Sequence, residues 1–172
     1  MVYPLIEKRK VLAYITHNDN LLLFIHPNSP EAGIQVPGGT IKVGESPAEA
    51  ALREAREETG LNQLRIGILL GELWRDMSDF GIAQLHYRHY YHVWCDEDTP
   101  AHWRHGEFDP GEESNRVEPI PFDFYWVKLL DGIPPLIAGH DAFVPRLTEY
   151  LKMSDIKDSD EQTGITYTGS KN

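Results

Sequence analysis

The chain has 172 residues, 41% of them hydrophobic, which suits one domain with a real core. Its formal net charge of −11 argues against a broad, sequence-independent grip on nucleic acid, which needs clustered Lys and Arg. Small anionic ligands stay compatible with that charge, because a bound cation inverts the local field.

Two apolar runs, Lys10 to Thr16 and Leu21 to His26, flank the turn-forming Asn18-Asp19-Asn20 and predict a hairpin. Gly33 to Val36 reads as a short third strand ending at Pro37. The loop through Gly38-Gly39 then leads to a helix over Pro47 to Thr59. Ser46 is its N-cap, Pro47 takes the first helical position, Glu49 completes a capping box, and Gly60 ends it. Ala48, Ala51, Leu52, Ala55 and Thr59 recur at helical spacing and predict the packed side. Leu64 to Arg75, Ile82 to Cys95 and Phe124 to Leu129 read as strands. Asp96 to Pro121 reads as a long connection, a length that in compact domains is usually functional or disordered. Asp141 to Lys152 predicts a closing helix with Leu147, Tyr150 and Leu151 inward and Pro145 delaying its regular start. Residues 1–152 thus form the expected domain, and 153–172 a polar tail expected to be mobile.

The helix carries the chemistry. Glu54, Glu57 and Glu58 fall at i, i+3 and i+4, on one face within about a turn. Like charges that close destabilise a helix unless something positive sits among them, and a divalent cation with oxygen ligands answers that need. Arg53 flanks the acidic face and reaches Glu49 or Glu57. A run such as REAREE also reads as a merely solvated face. The glycines before it, Glu45 ahead of the cap and Gly60 behind favour the metal reading.

Gly39, five residues, Glu45, seven residues, then Arg53-Glu54-Ala55-Arg56-Glu57-Glu58-Thr59-Gly60-Leu61 resembles the signature box of the Nudix hydrolases. The one departure is Ala55, a packing position where a larger aliphatic is more usual. The resemblance implies an α/β fold, an α/β/α sandwich around a mixed β-sheet. It implies hydrolysis of the pyrophosphate bond in a nucleoside diphosphate linked to another moiety. It also implies Mg2+ or Mn2+ held by Glu54, Glu57 and Glu58, with the Gly38 carbonyl as an extra ligand. Arg53 then orients the glutamates with Glu45 as its helper, and a carboxylate takes the proton from water. In several Nudix enzymes a glutamate from a loop before a late strand joins in; Glu112, Glu113 and Glu118 are the candidates, Glu118 first for its nearness to Phe124. A nucleotide-sensing module without turnover and a decapping-type enzyme or isomerase stay open. Intact box glutamates disfavour the first, and the acidic surface disfavours long RNA. The family's markers for ADP-ribose and for dinucleoside polyphosphates, a proline and a tyrosine beyond the box, are both missing from Asp76-Met77-Ser78, so neither substrate is indicated. Homodimers are common in the family.

Elsewhere the strand Ile82 to Cys95 alternates. Leu85, Tyr87, His89, Tyr91 and Val93 form the more apolar face, expected to meet the core. His86, Arg88, Tyr90 and His92 form the other, open to a substrate cleft or to water. There Arg88 is placed to fork onto a phosphate and Tyr90 to stack on a base or sugar. His102, His105 and Glu107 form a weak zinc pattern beside the simpler reading of surface histidines. Cys95 is the single cysteine, so there is no intrachain disulfide, and a core role is expected. No apolar run approaches a membrane span and MVYPLIEKRK lacks the long apolar stretch of a signal peptide; a cytoplasmic protein is expected.

Overall fold

The computed structural model describes residues 4–107 and 118–162. β1 (Ile6–His17) and β2 (Asn20–Ile25) form the expected hairpin, turned by Asn18 at a left-handed φ of 53°, a conformation asparagine tolerates. The two strands pair only at Thr16↔Leu21 and His17↔Asn20. Beyond that they part, and β3 (Gly38–Thr40) takes the place beside β1, opposite Leu12, Val11 and Lys10. The third strand therefore lies after Pro37 rather than over Gly33 to Val36, where only Gln35 bridges to Phe24. Proline cannot donate to a ladder, but at a strand's entrance it costs nothing.

β4 (Leu64–Asp76), β5 (Gln84–Cys95), β6 (His102–Glu107) and β7 (Ile120–Lys128) complete the sheet. Among the described residues it has seven strands in the order β4-β5-β1-β2-β7-β6, with β3 against β1. β1 and β5 run parallel and the other pairs antiparallel. β6 occupies part of the segment expected to be a loop. Its only large apolar side chain is Trp103, stacked on Phe124, while Arg104 pairs with Asp123 on the outer side. Residues 108–117, with Glu112 and Glu113, lie outside the described residues.

α1 (Pro47–Thr59) covers one face of the sheet and α2 (Val144–Gln162) the other. Ala50, Ala51 and Ala55 lie flat on Val11, Ala13 and Ile15, small side chains that bring the helix close. On the far face Leu147 and Leu151 pack against Leu12, Tyr14, Leu70 and Tyr90. This is the expected α/β/α sandwich. α2 runs past Lys152 into the segment expected to be mobile. Both faces are covered, yet β5 is buried unevenly: Leu85, Tyr87 and Tyr91, on the face expected to meet the core, are only half-buried. His86, Arg88, Tyr90 and His92 are all buried, although their polarity suggested an open face. Among the described residues no helix is long and apolar enough to cross a membrane.

Candidate active site

α1 begins and ends where its local signals dictate. Ser46 Oγ accepts from the Glu49 amide at 3.2 Å, and Glu49 returns the bond to the Ser46 amide at 2.8 Å. Gly60, at φ 75°, donates to Arg56 O. Before the helix, a turn at Lys42–Glu45 folds Glu45 back under it, its carboxylate accepting from the Lys42 amide at 3.1 Å.

Arg53 is the hub. Nε and Nη2 hold the two oxygens of Glu45 at 2.7 and 2.9 Å. Nη1 donates to Glu54 at 2.7 Å and to Glu57 at 3.1 Å, and Nη2 also reaches Thr40 O at 3.0 Å. All five N–H groups of the fork are therefore used. The bonds from Arg53 pull the Glu45 carboxyl down to about 2, and Glu45 first, then Glu54, holds Arg53 above its ordinary value. The positive centre that the acidic helix face requires is thus partly built into the chain.

The glycines set how close that face comes to β3. A Cβ on Gly39 would fall within the Glu54 carboxyl group, and one on Gly38 would meet the Val11 carbonyl. Glu58 accepts from the Gly38 amide at 3.2 Å. Gly38 lies opposite Leu12, the rung at which its N–H and C=O both point away from β1. Glu54 and Glu58 are buried, whereas the Glu57 side chain is 43% exposed. Replacing Gly39 by Ala is expected to displace Glu54 and to lower turnover by roughly 10²-fold, the cost of a misplacement near 1 Å. Steady-state rates and a Mn2+ titration by calorimetry check this.

A cleft of about 330 Å³ opens beside these groups. Gly38, Gly39 and Glu58 form its rim, Lys10, His86 and Arg88 its floor, and Phe24, Met77, Phe80 and Ile137 its walls. One wall is a strap, 137–140, clamped by three successive carbonyls. Arg88 donates to Ala138 O, Tyr90 Oη to Gly139 O at 2.8 Å and Tyr14 Oη to His140 O at 2.6 Å. Ala138 pays for this with a left-handed φ of 50°. Burial, then the Arg88 charge, holds His140 down at about 3, and its Nδ1 lies 3.3 Å from the Val36 amide as the acceptor. Burial also lowers His86 to about 4.

The structure thus brings together Gly38, Arg53, Glu54, Glu57 and Glu58 at one end of the cleft and puts Arg88 inside it. Tyr90 is not available for stacking: it is fully buried between Tyr14 and Phe143, with its hydroxyl engaged. Glu118 is exposed just before β7, and among the described residues no hydrogen bond or ion pair joins it to the box. The zinc pattern does not form. His102 and His105 stand three apart on one strand and so point to opposite faces, and His105 is bonded to Glu58 O at 2.7 Å. Lys10, Thr40 and the 137–140 strap were not foreseen; their roles depend on which strands meet.

Among the described residues no three His, Cys, Asp or Glu side chains converge as a finished metal centre in this conformation. Glu54 and Glu57 lean on Arg53, and Glu58 on the Gly38 amide. The donor set itself fits a hard cation: three carboxylates within a turn, a glycine carbonyl edge, and no thiolate or imidazole among them.

The NUDIX domain family pattern matches residues 7–147. The chain belongs to that family, and the Nudix-type pyrophosphohydrolase class expected from the box stands with it. Among solved structures, the chain resembles a MutT protein from Methanosarcina mazei Go1 with 20% identity and a TM-score of 0.60, covering 88% of this chain and 99% of that one. It resembles an ADP-ribose pyrophosphatase from Streptococcus suis 89-1591 with 22% identity and a TM-score of 0.51, covering 86% and 91%. It also resembles a UDP-X diphosphatase with 20% identity and a TM-score of 0.55; there it covers 90% of this chain and spans only 66% of the other. At these identities the likeness is one of fold. A comparison with curated protein sequences found no match.

Proposed function

We propose that this protein is a metal-dependent hydrolase that cleaves the pyrophosphate bond of a nucleoside diphosphate linked to another moiety. The observation that carries the reading is the Arg53-organised glutamate face pressed on Gly38-Gly39 at the mouth of a cleft. The neighbours named for UDP-X and ADP-ribose agree with a small nucleotide-type substrate.

In this reading Glu54, Glu57, Glu58 and the Gly38 carbonyl hold Mg2+ or Mn2+. Divalent ions supply neutralisation of the diphosphate charge and acidification of water. The chain's own part is positioning. Arg53 fixes Glu54 and Glu57 relative to β3. Glu45 keeps Arg53 in place. Glu57, the exposed member, is held by Arg53 through one carboxylate oxygen only. The proton of the attacking water passes to a carboxylate of the box or to Glu118. Attack is in line on one phosphorus, with the other phosphate leaving.

A panel of nucleoside triphosphates, nucleotide sugars, dinucleoside polyphosphates and NADH, assayed with Mg2+ and with Mn2+, tests this. Metal-dependent release of a nucleoside monophosphate or of pyrophosphate from at least one class is expected. Tight binding without turnover across the panel would instead identify a nucleotide sensor.

A further inference from the structure

The cleft floor holds positive charge that the described protein does not neutralise. β1 and β5 run parallel with Lys10 opposite Arg88 and Lys8 opposite His86. β4 adds Leu73 and Arg75 to the same two rungs. Residues directly opposite share a face, so four cationic side chains, Lys8, Lys10, Arg75 and Arg88, stand with the His86 imidazole on two alternate rungs of one face, in a chain whose net charge is −11. Arg75 is answered by Asp79. Lys10 and Arg88 are not answered: among the described residues neither makes an ion pair. Lys10 donates to Thr40 Oγ1 at 2.7 Å, and Arg88 to the Ala138 carbonyl and to Met77 Sδ at 3.2 Å, all neutral acceptors. His86 Nδ1 beside them is buried without a partner.

Arg88 is only 3% exposed. A buried guanidinium without a counter-ion is costly, and cations opposite each other on adjacent strands repel. Burial is also the main cause that lowers the Lys10 ammonium. The carboxylates whose charge does reach Lys10, Glu54 and Glu58, belong to the acidic face at the rim. A floor of this kind is stable only at a cost that an anionic ligand would relieve. The walls of Phe24, Met77 and Phe80 suit the uncharged ring that would carry the anion.

We infer that the moiety seated in this cleft, beyond the scissile diphosphate, carries its own oxyanion (a carboxylate or a phosphomonoester), held by Arg88 and Lys10. The inference rests on the cleft being the substrate cleft of the hydrolase proposed above. It narrows the substrate class to nucleoside diphosphate derivatives with a second anionic group.

Two matched pairs test it: UDP-glucuronate against UDP-glucose for the carboxylate, and NADPH against NADH for the phosphomonoester. The wild-type protein is expected to favour the more anionic member of at least one pair by about 10- to 100-fold in kcat/KM, the range of a charge-assisted hydrogen bond or two. Arg88→Gln and, separately, Lys10→Gln are expected to bring that ratio close to one. Lys10→Gln guards against misfolding, because Arg88 also clamps the strap at Ala138. Ratios near one for both pairs in the wild type would overturn the inference. So would a preference that survives both substitutions, which would place the two cations on the diphosphate common to every probe. Calorimetric titration of the metal-free protein with the same four compounds separates this from the hydrolase reading. If nothing is hydrolysed, that reading fails, while tighter binding of the anionic members still supports the site and equal binding overturns it.

Discussion

Replacing Glu57 and Glu58 together by Gln is expected to lower kcat by about 10²- to 10³-fold while the protein stays folded. The change is nearly isosteric. The side-chain amide introduced in place of the Glu58 carboxylate still has an oxygen for the Gly38 amide, so the 3.2 Å bond that ties α1 to β3 can persist. Glu57 is 43% exposed, and its bond to Arg53 is a surface pair of little weight. What the substitution removes is charge, and hard divalent cations are held by ionised carboxylates. Loss of the several kcal/mol of transition-state stabilisation ascribed to such ions corresponds to about two to three decades in rate. The checks are kcat with the best substrate of the panel, a Mn2+ titration by calorimetry and a thermal melt. A melt within a few degrees of wild type with turnover lost supports the assignment. Turnover retained in the double variant would show that the acidic face is not the catalytic metal site.

The parts of this molecule that were legible in its sequence are those whose signals are local. α1 begins at Pro47 and ends at Thr59 as its capping box and Gly60 require. The grouping of Glu54, Glu57 and Glu58 follows from helical periodicity alone. The cleft was not legible, because it is assembled by pairing. Nothing local to Lys10 indicates that it will stand opposite Arg88; that depends on β1 and β5 running parallel. Tyr90 and His92 looked like half-exposed strand residues, yet Tyr90 bonds to Gly139 and His92 to Thr16, partners far along the chain. β6 was missed because an edge strand with Gly106 and one tryptophan has too little alternation to register. Its evidence is tertiary: Trp103 Nε1 donates to Thr59 O at 3.0 Å and His105 meets Glu58 O, so the strand fastens the end of α1.

Arg53→Ala is expected to cost about 2–3 kcal/mol of stability and roughly 10²-fold in turnover, the first by breaking a largely buried ion network and the second by loosening its carboxylates. The Arg53 side chain is 19% exposed, so the loss falls below that of a fully buried pair. Removing it leaves Glu45, Glu54 and Glu57 to repel one another across α1 and its preceding loop, and leaves the Thr40 carbonyl without that donor. Arg53→Lys should recover only part of either loss, since a point charge cannot fork onto both oxygens of Glu45 while bonding Glu54 and Thr40. The acid limb of stability separates this network from simple loss of packing. The Glu45 carboxyl lies at about 2 in the folded protein against an ordinary 4.5. Its contribution is therefore complete above the ordinary value and drains away as the pH falls from there toward 2. Thermal melts of the wild type should fall over that window. In Arg53→Ala the Glu45 carboxyl returns toward its ordinary value, so the melts should start lower and fall less steeply there. Parallel curves for the two proteins would show that Arg53 acts through packing rather than through the carboxylates it holds.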